Sequence, residues 1–401
     1  MNVLLLSLYH FEKLNDGYIY ADLINEFVRN EHNVFAVSLT ETARKESCID
    51  ESEGFKHIFV KTGKIQKTNK IRKAINLILM EGRVISSIKK FAGHVKFDLI
   101  VTMVSNLSFC KTVNYFADRD NAFVYMLMKD IFPHNAVDMK MLKENGIIYK
   151  HYKKLETKYY RISDKIGVIS KANLDLLSAE VSAEKLEINP NSIIARPVQL
   201  AAEEKKELSE KYGLPYGKKI LLYGGNLGKP QGVDFLIDCI KHNEQRHDTF
   251  ILVCGNGTEY AKLQAMLDGE NILNSKLFPA VSSKEFQKLI KISDIGLVFL
   301  NKDFTMPNYP SRVLSYLEGR LPILFAVDSV CDAGVEAEKA GYGFNCISGD
   351  LDKFYGLADK MLYQSDLKLM GEKGFDYLIQ NFNTEKTYKL IMESAEKHVQ
   401  G

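Results

Sequence analysis

A glycine-rich turn that carries amide and basic side chains follows an apolar run in the second half of this 401-residue sequence. The turn is GGNLGKPQG, residues 224–232, and a segment of helical period, VDFLIDCI, comes directly after it. Glycines permit positive φ and close backbone approach, and the first turn of a helix offers unpaired N–H groups to an anion. Asn226, Lys229 and Gln231 add side-chain donors. Together these residues predict a cradle for a phosphate or diphosphate.

Two further loops of the second half also follow apolar runs and lead into helices. CGNGTE, residues 254–259, follows the apolar run TFILV, and a proline-rich turn that ends in Pro310, Ser311 and Arg312 follows IGLVFL. Each glycine turn alone is more often an ordinary tight turn, and neither fits the G-x-G-x-x-G or Walker pattern. Three such loops after three parallel strands would, however, line one sheet edge, where α/β proteins bind ligands.

Short apolar runs alternate with longer segments of helical period along the chain, which predicts parallel sheets covered by helices on both faces. The length suits two domains, each with its own core. The predicted fold class is therefore α/β, with two doubly wound, Rossmann-like domains. The predicted strands are NVLLLSL, NVFAVSL, DLIVTMV, AFVYMLM and KIGVIS in the first half, and KILLYGG, TFILVCG, SKLFPAV, IGLVFL and LPILFAV in the second.

A segment with prolines, one charged helical piece and no apolar run separates the two halves. The N-terminal domain is predicted over residues 1–195, the linker over 196–216 and the C-terminal domain over 217–380. Residues 381–401 are predicted to form a helix that packs back toward the N-terminal domain.

The overall composition is that of a soluble globular protein, with 46% hydrophobic and 26% charged residues. A formal net charge of +2 gives no reason to expect a nucleic acid partner. The six cysteines show no C-x-x-C spacing, so we expect buried thiols and neither disulfides nor zinc. No signal peptide and no membrane-spanning run is expected. The predicted location is cytoplasmic, or peripheral on the inner face of the cell membrane.

One local charge cluster stands out, KTGKIQKTNKIRKAINLILM at residues 61–80. Six basic residues occur there without an acid, and Ile71, Ile75, Ile78 and Leu79 then recur at helical spacing. Such a segment can lie on an anionic membrane surface. The alternative is a solvated helix whose apolar stripe faces the core of the first domain.

The three loops also carry a family resemblance. YGGNLGKPQGVDFLI, LVCGNGTE and YPSRVLSYLEGRLPIL resemble the donor domain of retaining GT-B glycosyltransferases of family 4. The first half is similar through DIFPHNAV and through KIGVISKANLDLL with LEINPNSI, a passage between domains. G-N-L-G-x-x-Q combined with P-S-R most resembles the subgroup that builds bacterial surface polysaccharides, including O-antigen, colanic acid and capsule.

The resemblance implies two domains that face each other across a cleft, the first for the acceptor and the second for the donor. A sugar, hexosyl or N-acetylhexosaminyl, would pass with retention from a nucleoside diphosphate sugar, most often UDP-linked, to a hydroxyl of a saccharide carried on polyprenyl diphosphate. No metal or other cofactor is expected, because no D-x-D motif follows a strand in the donor domain.

The resemblance also assigns roles to individual residues. The expected catalytic residues are Asp130, Arg312 and Lys229, with Arg312 and Lys229 paired to the leaving diphosphate. The expected acceptor-side residues are Asp16, Gly17 and His134, while Lys129 stands at a position where the family often has histidine. The base of the nucleotide is expected on the backbone near Ala280 and Val281. The expected donor-binding residues are Gly225, Asn226, Gly228, Gln231, Asn256, Gly257, Ala280, Val281, Pro310, Ser311 and Ser315.

The sequence departs from the family in its charged positions. Asn226 and Gln231 occupy the places of an arginine and a lysine, and Pro307 and Ser315 replace the glutamates of the E-x7-E motif. Ser315, or else Glu318 one turn later, would bind the ribose hydroxyls. These losses keep two alternatives open: a non-catalytic nucleotide-sugar-binding or regulatory protein, and a sugar-nucleotide epimerase of GT-B type.

Overall fold

The structure is a computed structural model that describes residues 1–8, 19–41, 44–52, 54–64, 69–104 and 107–400. It divides into two compact α/β units. The first comprises Met1–Ile194 and the C-terminal segment from Thr384, and the second comprises Ala195–Asn383.

Fourteen strands form the two sheets of the described residues. The strands are β1 (Asn2–Ser7), β2 (Asn33–Thr40), β3 (Cys48–Ser52), β4 (Phe55–Lys61), β5 (Leu99–Val104), β6 (Phe123–Met128), β7 (Lys165–Val168), β8 (Leu186–Ile188), β9 (Lys219–Asn226), β10 (Thr249–Asn256), β11 (Ser275–Phe278), β12 (Ile295–Phe299), β13 (Ile323–Val327) and β14 (Gly343–Ile347).

Fifteen α-helices cover these sheets within the described residues. The helices are α1 (Ile19–Arg29), α2 (Lys70–Ala92), α3 (Cys110–Asp120), α4 (His134–Asp138), α5 (Ile147–Ile162), α6 (Lys171–Leu177), α7 (Ala202–Tyr212), α8 (Val233–Asn243), α9 (Tyr260–Gly269), α10 (Ser283–Lys291), α11 (Arg312–Glu318), α12 (Ala333–Ala340), α13 (Leu351–Gln364), α14 (Leu367–Asn381) and α15 (Thr384–Gln400).

The sheet of the first unit has the order β3-β4-β2-β1-β5-β6-β7-β8, and its strands are parallel except for β3, which pairs antiparallel with β4. The last helix, α15, completes this unit. Its Ile391 and Ala395 are fully buried in the same core cluster as Phe27 of α1. The apolar face of α15 therefore belongs to the first unit.

The sheet of the second unit has the order β11-β10-β9-β12-β13-β14 and is parallel throughout. Leu221, Ile251 and Leu297 of its central strands lie in the main core cluster of this unit. The helix α7, which falls within the predicted linker, packs here, since the Tyr212 hydroxyl donates to Glu285 Oε1 at 2.9 Å. Both units thus have a parallel sheet whose carboxyl edge leads into loops and helix starts.

The ten strands that the apolar runs predicted are all present, while β3, β4, β8 and β14 were not predicted. SKLFPAV is shorter than expected because β11 ends at Phe278, before Pro279, which has no N–H for a ladder. All six cysteines are unpaired, and all except Cys48 are buried.

Candidate functional site

The strands of the second sheet separate at its centre. β9 pairs with β10 along its whole length, up to Asn226 opposite Asn256. With β12 it pairs only from Leu221 to Tyr223. The order also reverses here, because β10 and β11 continue on one side of β9, and β12 to β14 on the other. A crevice between diverging strands at a reversal of strand order is where doubly wound sheets bind ligands.

Tyr316 of α11 fills the base of this split. Its fully buried hydroxyl accepts a hydrogen bond from the Gly224 N–H at 3.0 Å and lies 2.9 Å from the Leu222 carbonyl oxygen, to which it donates. Gly224 lies beyond the last residue of β9 that pairs with β12, so the hydroxyl gives its N–H a partner. Tyr316 thereby fixes α11, and Arg312 lies one turn before it on the same helix.

A cavity of about 240 Å³ lies at this edge of the sheet. It brings together the first glycine loop, the second glycine loop, the residues after β11 and the start of α11. Six of its lining residues were predicted from the sequence: Gly225, Asn226, Asn256, Ala280, Val281 and Arg312. Four were not predicted: Cys254, Gly255, Ser283 and Phe286.

The two glycine loops meet through their backbones. Gly225 has φ of +152°, and a Cβ built there would have only Arg312 Nε nearby, at 4.0 Å. A Cβ at Gly255 would lie 2.0 Å from the Gly225 carbonyl oxygen, and one at Gly257 would lie 2.1 Å from that of Leu227. Gly255 and Gly257 are therefore needed for loop packing, whereas Gly225 leaves open space on the cavity side. Gly257 itself does not line the cavity.

Arg312 supplies positive charge to the cavity. Its guanidinium carbon lies 4.3 Å from the centroid of the Phe286 ring, and Nη1 donates a long hydrogen bond of 3.5 Å to Ser315 Oγ. Among the described residues, no carboxylate forms an ion pair with it. The charge of Arg312 is thus available to an anion in the cavity.

The amide side chains of the first loop bind each other. Asn226 Nδ2 donates to Gln231 Oε1 at 2.7 Å, and of the two only Asn226 lines the cavity. Lys229 is exposed on the short 3₁₀ turn Lys229–Gln231 and also lies outside the lining, as does the buried Gly228.

The remaining residues expected from the third loop lie next to the cavity rather than in its wall. Pro310, Ser311 and Ser315 are absent from the lining, and Ser315 contacts the cavity only through Arg312. Glu318, the alternative for the ribose, is engaged elsewhere in the second unit. Its carboxylate accepts from the Arg196 N–H at 2.7 Å and from Gln287 Nε2 at 2.6 Å.

The wall near Ala280 is organised by short polar contacts. The Ala280 N–H donates to Asn256 Oδ1 at 3.3 Å, and Cys254 Sγ donates to the Pro279 carbonyl oxygen at 3.4 Å. Burial raises the pKa of the Cys254 thiol, and the Val281 N–H and the charge of Arg312 oppose this shift. The thiol is therefore neutral at physiological pH.

In the first unit, Lys129 and Asp130 follow β6 at the carboxyl edge of the sheet. Burial raises the pKa of Asp130 to about 6, against the effect of the Lys129 charge. Burial also lowers the pKa of Lys129 to about 7, although Asp130 favours its charged form. His134 begins α4, and its Nδ1 lies 3.3 Å from the Tyr149 hydroxyl. Asp16 and Gly17 lie outside the described residues.

The basic segment leads into α2, whose start is capped by Asn69, with its side chain accepting from the Arg72 N–H at 2.8 Å. The core-facing alternative for the apolar stripe is wrong at this end of the helix, because Ile75, Ile78 and Leu79 are exposed, Ile78 by 76%. The apolar residues of α2 that are buried are instead Met80 and later ones toward the C-terminal end of the helix. The side chains of Lys67, Lys70, Ile71 and Lys73 are outside the described part.

Within the described ranges, no helix is long and apolar enough to cross a membrane. No three metal-ligating side chains are grouped there either. Independence from metal stays a prediction.

Residues 204–303 match the family described as "Glycosyl transferases group 1". Two curated relatives are similar to the chain. A protein of Escherichia coli (strain K12) named as a colanic acid biosynthesis glycosyl transferase, WcaI, is 30% identical over 38% of each chain. A protein of Pseudomonas aeruginosa named as a glycosyltransferase, WbjE, is 22% identical over 64% of each chain. The aligned parts thus span less than two thirds of either relative.

Two solved structures share the whole fold. Sucrose-phosphate synthase from Thermosynechococcus elongatus superposes with a TM-score of 0.77 at 13% identity, over 100% of this chain and 99% of that one. Anabaena Alr3699/HepE in complex with UDP superposes with a TM-score of 0.70 at 11% identity, over 99% and 100%. The two parallel α/β units therefore have the GT-B fold, which confirms the predicted fold class.

Proposed function

We propose that this protein is a retaining glycosyltransferase of bacterial surface polysaccharide synthesis. It takes a hexosyl or N-acetylhexosaminyl group from a nucleoside diphosphate sugar, with UDP as the nucleotide, and transfers it to a hydroxyl of a lipid-linked saccharide. The observation that carries the proposal is the cavity at the split between β9 and β12, where Gly225 leaves open space beside an arginine without an ion-pair partner among the described residues.

The arrangement suits departure of a nucleoside diphosphate. Negative charge develops on the leaving phosphate as the glycosidic bond breaks, and preorganised donors stabilise it most when they do not have to move. Arg312 provides a planar set of N–H donors at the cavity wall. The amide of Asn226 adds a neutral donor at the cavity. Base and ribose are proposed to lie toward Ala280 and Val281.

Asp130 is proposed to act on the acceptor. A carboxyl with a pKa of about 6 can take up and release a proton near neutral pH, which general acid–base catalysis requires. In the retaining reaction the leaving phosphate oxygen can also accept the acceptor proton, so Asp130 would orient the hydroxyl and assist.

The assay that tests this function offers purified protein UDP-, GDP- and dTDP-sugars with and without saccharide acceptors. Transfer or slow hydrolysis of one donor supports a glycosyltransferase. Binding without turnover would indicate the non-catalytic alternative, and acceptor-independent change of the sugar would indicate an epimerase.

Arg312→Ala should lower transfer roughly ten- to a hundred-and-fifty-fold, since it removes a charge-assisted contact of about 1.5–3 kcal/mol. Arg161→Ala, at an exposed arginine of α5, is the control.

We further propose that the first unit contacts an anionic membrane through residues 61–80, where a lipid-linked acceptor would be presented. The exposed apolar side chains Ile75, Ile78 and Leu79 support this, together with exposed Lys64 and Arg72. Buried apolar area and attraction of basic residues to anionic headgroups both favour such binding.

A second group of exposed apolar side chains in the first unit supports the same membrane contact. Met141, which lies between α4 and α5, is exposed, as are Ile147 and Ile148 at the start of α5, Ile147 by 90%. α2 and α5 both begin beyond carboxyl ends of parallel strands, and α3 packs between them. The exposed charged residues next to this group along the chain are Lys140, Lys143, Glu144, Lys150 and Lys154, and Glu180 pairs with Lys153 of the same helix.

A further inference from the structure

We infer that Phe286 is a positioning residue: its ring holds the Arg312 guanidinium at the cavity wall, so that Phe286 acts on a diphosphate only through Arg312. This inference rests on the proposed function, because it assigns the anion that Arg312 meets.

The ring of Phe286 is itself fixed by its surroundings. Phe286 is on α10, is 5% exposed and lines the cavity. A Cβ at Gly224 would lie 2.1 Å from its Cζ, so the ring packs directly on the backbone of β9. The Tyr316 ring is its aromatic neighbour, with centroids 6.1 Å apart. Gly224 is therefore required because the Phe286 ring leaves no room for a side chain there, and Gly225 is favoured by its positive φ.

The Phe286 ring is a fixed support for Arg312. The guanidinium carbon lies 4.3 Å from the ring centroid, whereas the hydrogen bond to Ser315 Oγ is at the long limit of 3.5 Å. A long, flexible side chain loses considerable rotamer freedom when it is held in one place. A cation held on an aromatic face is attracted without any carboxylate.

This kind of support suits an anion-binding arginine. A carboxylate partner would neutralise the charge and occupy the N–H donors. A ring contact leaves the charge and uses none of the five N–H donors. Arg312 can therefore be fixed in the free protein and still offer its donors to phosphate oxygens.

The test uses Phe286→Leu in the full chain, with calorimetric titration of UDP and of uridine. Leucine keeps apolar volume but removes the aromatic face. Phe286→Leu should therefore weaken UDP binding about three- to tenfold and leave uridine binding unchanged. Phe235→Leu, at a buried phenylalanine of α8 that does not line the cavity, controls for general loss of packing.

Two results would overturn the inference. One is a folded Phe286→Leu protein that binds UDP normally. The other is an equal loss for UDP and uridine, which would indicate contact with the nucleoside. If Phe286→Leu does not fold, Phe286→Met replaces it.

A nucleotide-free measurement separates this inference from the proposed function. A cation seated on a ring face experiences ring-current shielding, so the Arg312 Nε–H proton, identified by its loss in Arg312→Lys, should resonate upfield of other arginines. Failure of the protein to bind UDP-, GDP- or dTDP-linked ligands would overturn the proposed function. An unshifted Arg312 resonance would overturn the positioning role.

Discussion

Asn226 Nδ2 donates a hydrogen bond to Gln231 Oε1 at 2.7 Å, so the two amides of the first glycine loop form a closed pair across the turn. Both were expected to present donors to a phosphate or sugar. Because the pair uses one N–H of Asn226 and only Asn226 reaches the cavity, the loop offers fewer side-chain donors than its composition indicates. In the proposed donor site, anion affinity would then depend more on Arg312.

Gln231→Lys should preserve or strengthen nucleoside diphosphate binding, because a cation next to the cavity replaces a neutral amide. Gln231→Leu, which breaks the pair without adding charge, should weaken binding by about 0.5–1.5 kcal/mol. Calorimetric titration with UDP at two salt concentrations measures both, and the gain from lysine should shrink at the higher salt because exposed charges are screened. A lysine variant that binds more weakly than the leucine variant would contradict the role of this position.

Gly225→Val should abolish nucleoside diphosphate binding. At φ of +152° a β-branched residue is strained, and its side chain would enter the open space beside Arg312. Gly356→Val on α13, where a Cβ would meet nothing within 4 Å, serves as the matched control. Titration of folded variants decides the matter: normal UDP affinity in Gly225→Val would leave this segment an ordinary turn.

The fold could be predicted where strands are buried on both faces. Parallel central strands such as β9 and β10 appear in the sequence as unbroken apolar runs. The short strands β8 and β14 and the edge strand β3 do not, because CIDES and GFNCI mix polar with apolar residues. Their pairing is decided by tertiary contacts, which a local pattern does not contain.

The site could be predicted where glycine and basic residues follow a strand. Gly225, Asn226 and Arg312 were found in this way. Phe286 and Tyr316 were missed, because in sequence each is an apolar position of a helix and resembles ordinary core. Their roles come from long-range contacts, such as the Gly224–Tyr316 hydrogen bond across 92 residues. An aromatic residue that must pack on a glycine backbone is visible only in the folded chain.

Transfer should decline as the pH falls through about 6 if Asp130 acts as a base. Burial raises its pKa to about 6, so the carboxylate is present above that pH and protonated below it. Asp130→Asn should reduce transfer roughly a hundredfold or more, and the remaining rate should lack this acidic limb. Rate–pH profiles with saturating donor measure both effects, and Asp175→Asn, at an exposed carboxylate of α6, is the control. An acidic limb that persists in Asp130→Asn would assign the titration to another group.

Replacing Lys64, Lys67, Lys70 and Lys73 together by glutamine should release the protein from anionic vesicles while UDP affinity stays unchanged. Each basic residue near an anionic surface contributes about 1 kcal/mol, and the exposed Ile75, Ile78 and Leu79 alone provide only the apolar part of the binding. The measurement is sedimentation with vesicles that contain roughly 30% phosphatidylglycerol, compared with purely zwitterionic vesicles, at low and at high salt.

The charge-matched control replaces four exposed lysines of the second unit, Lys206, Lys284, Lys353 and Lys368. Equal loss in both quadruple variants would show a general charge effect, and an unaltered protein that does not sediment with anionic vesicles would leave α2 a solvated helix with an exposed apolar end.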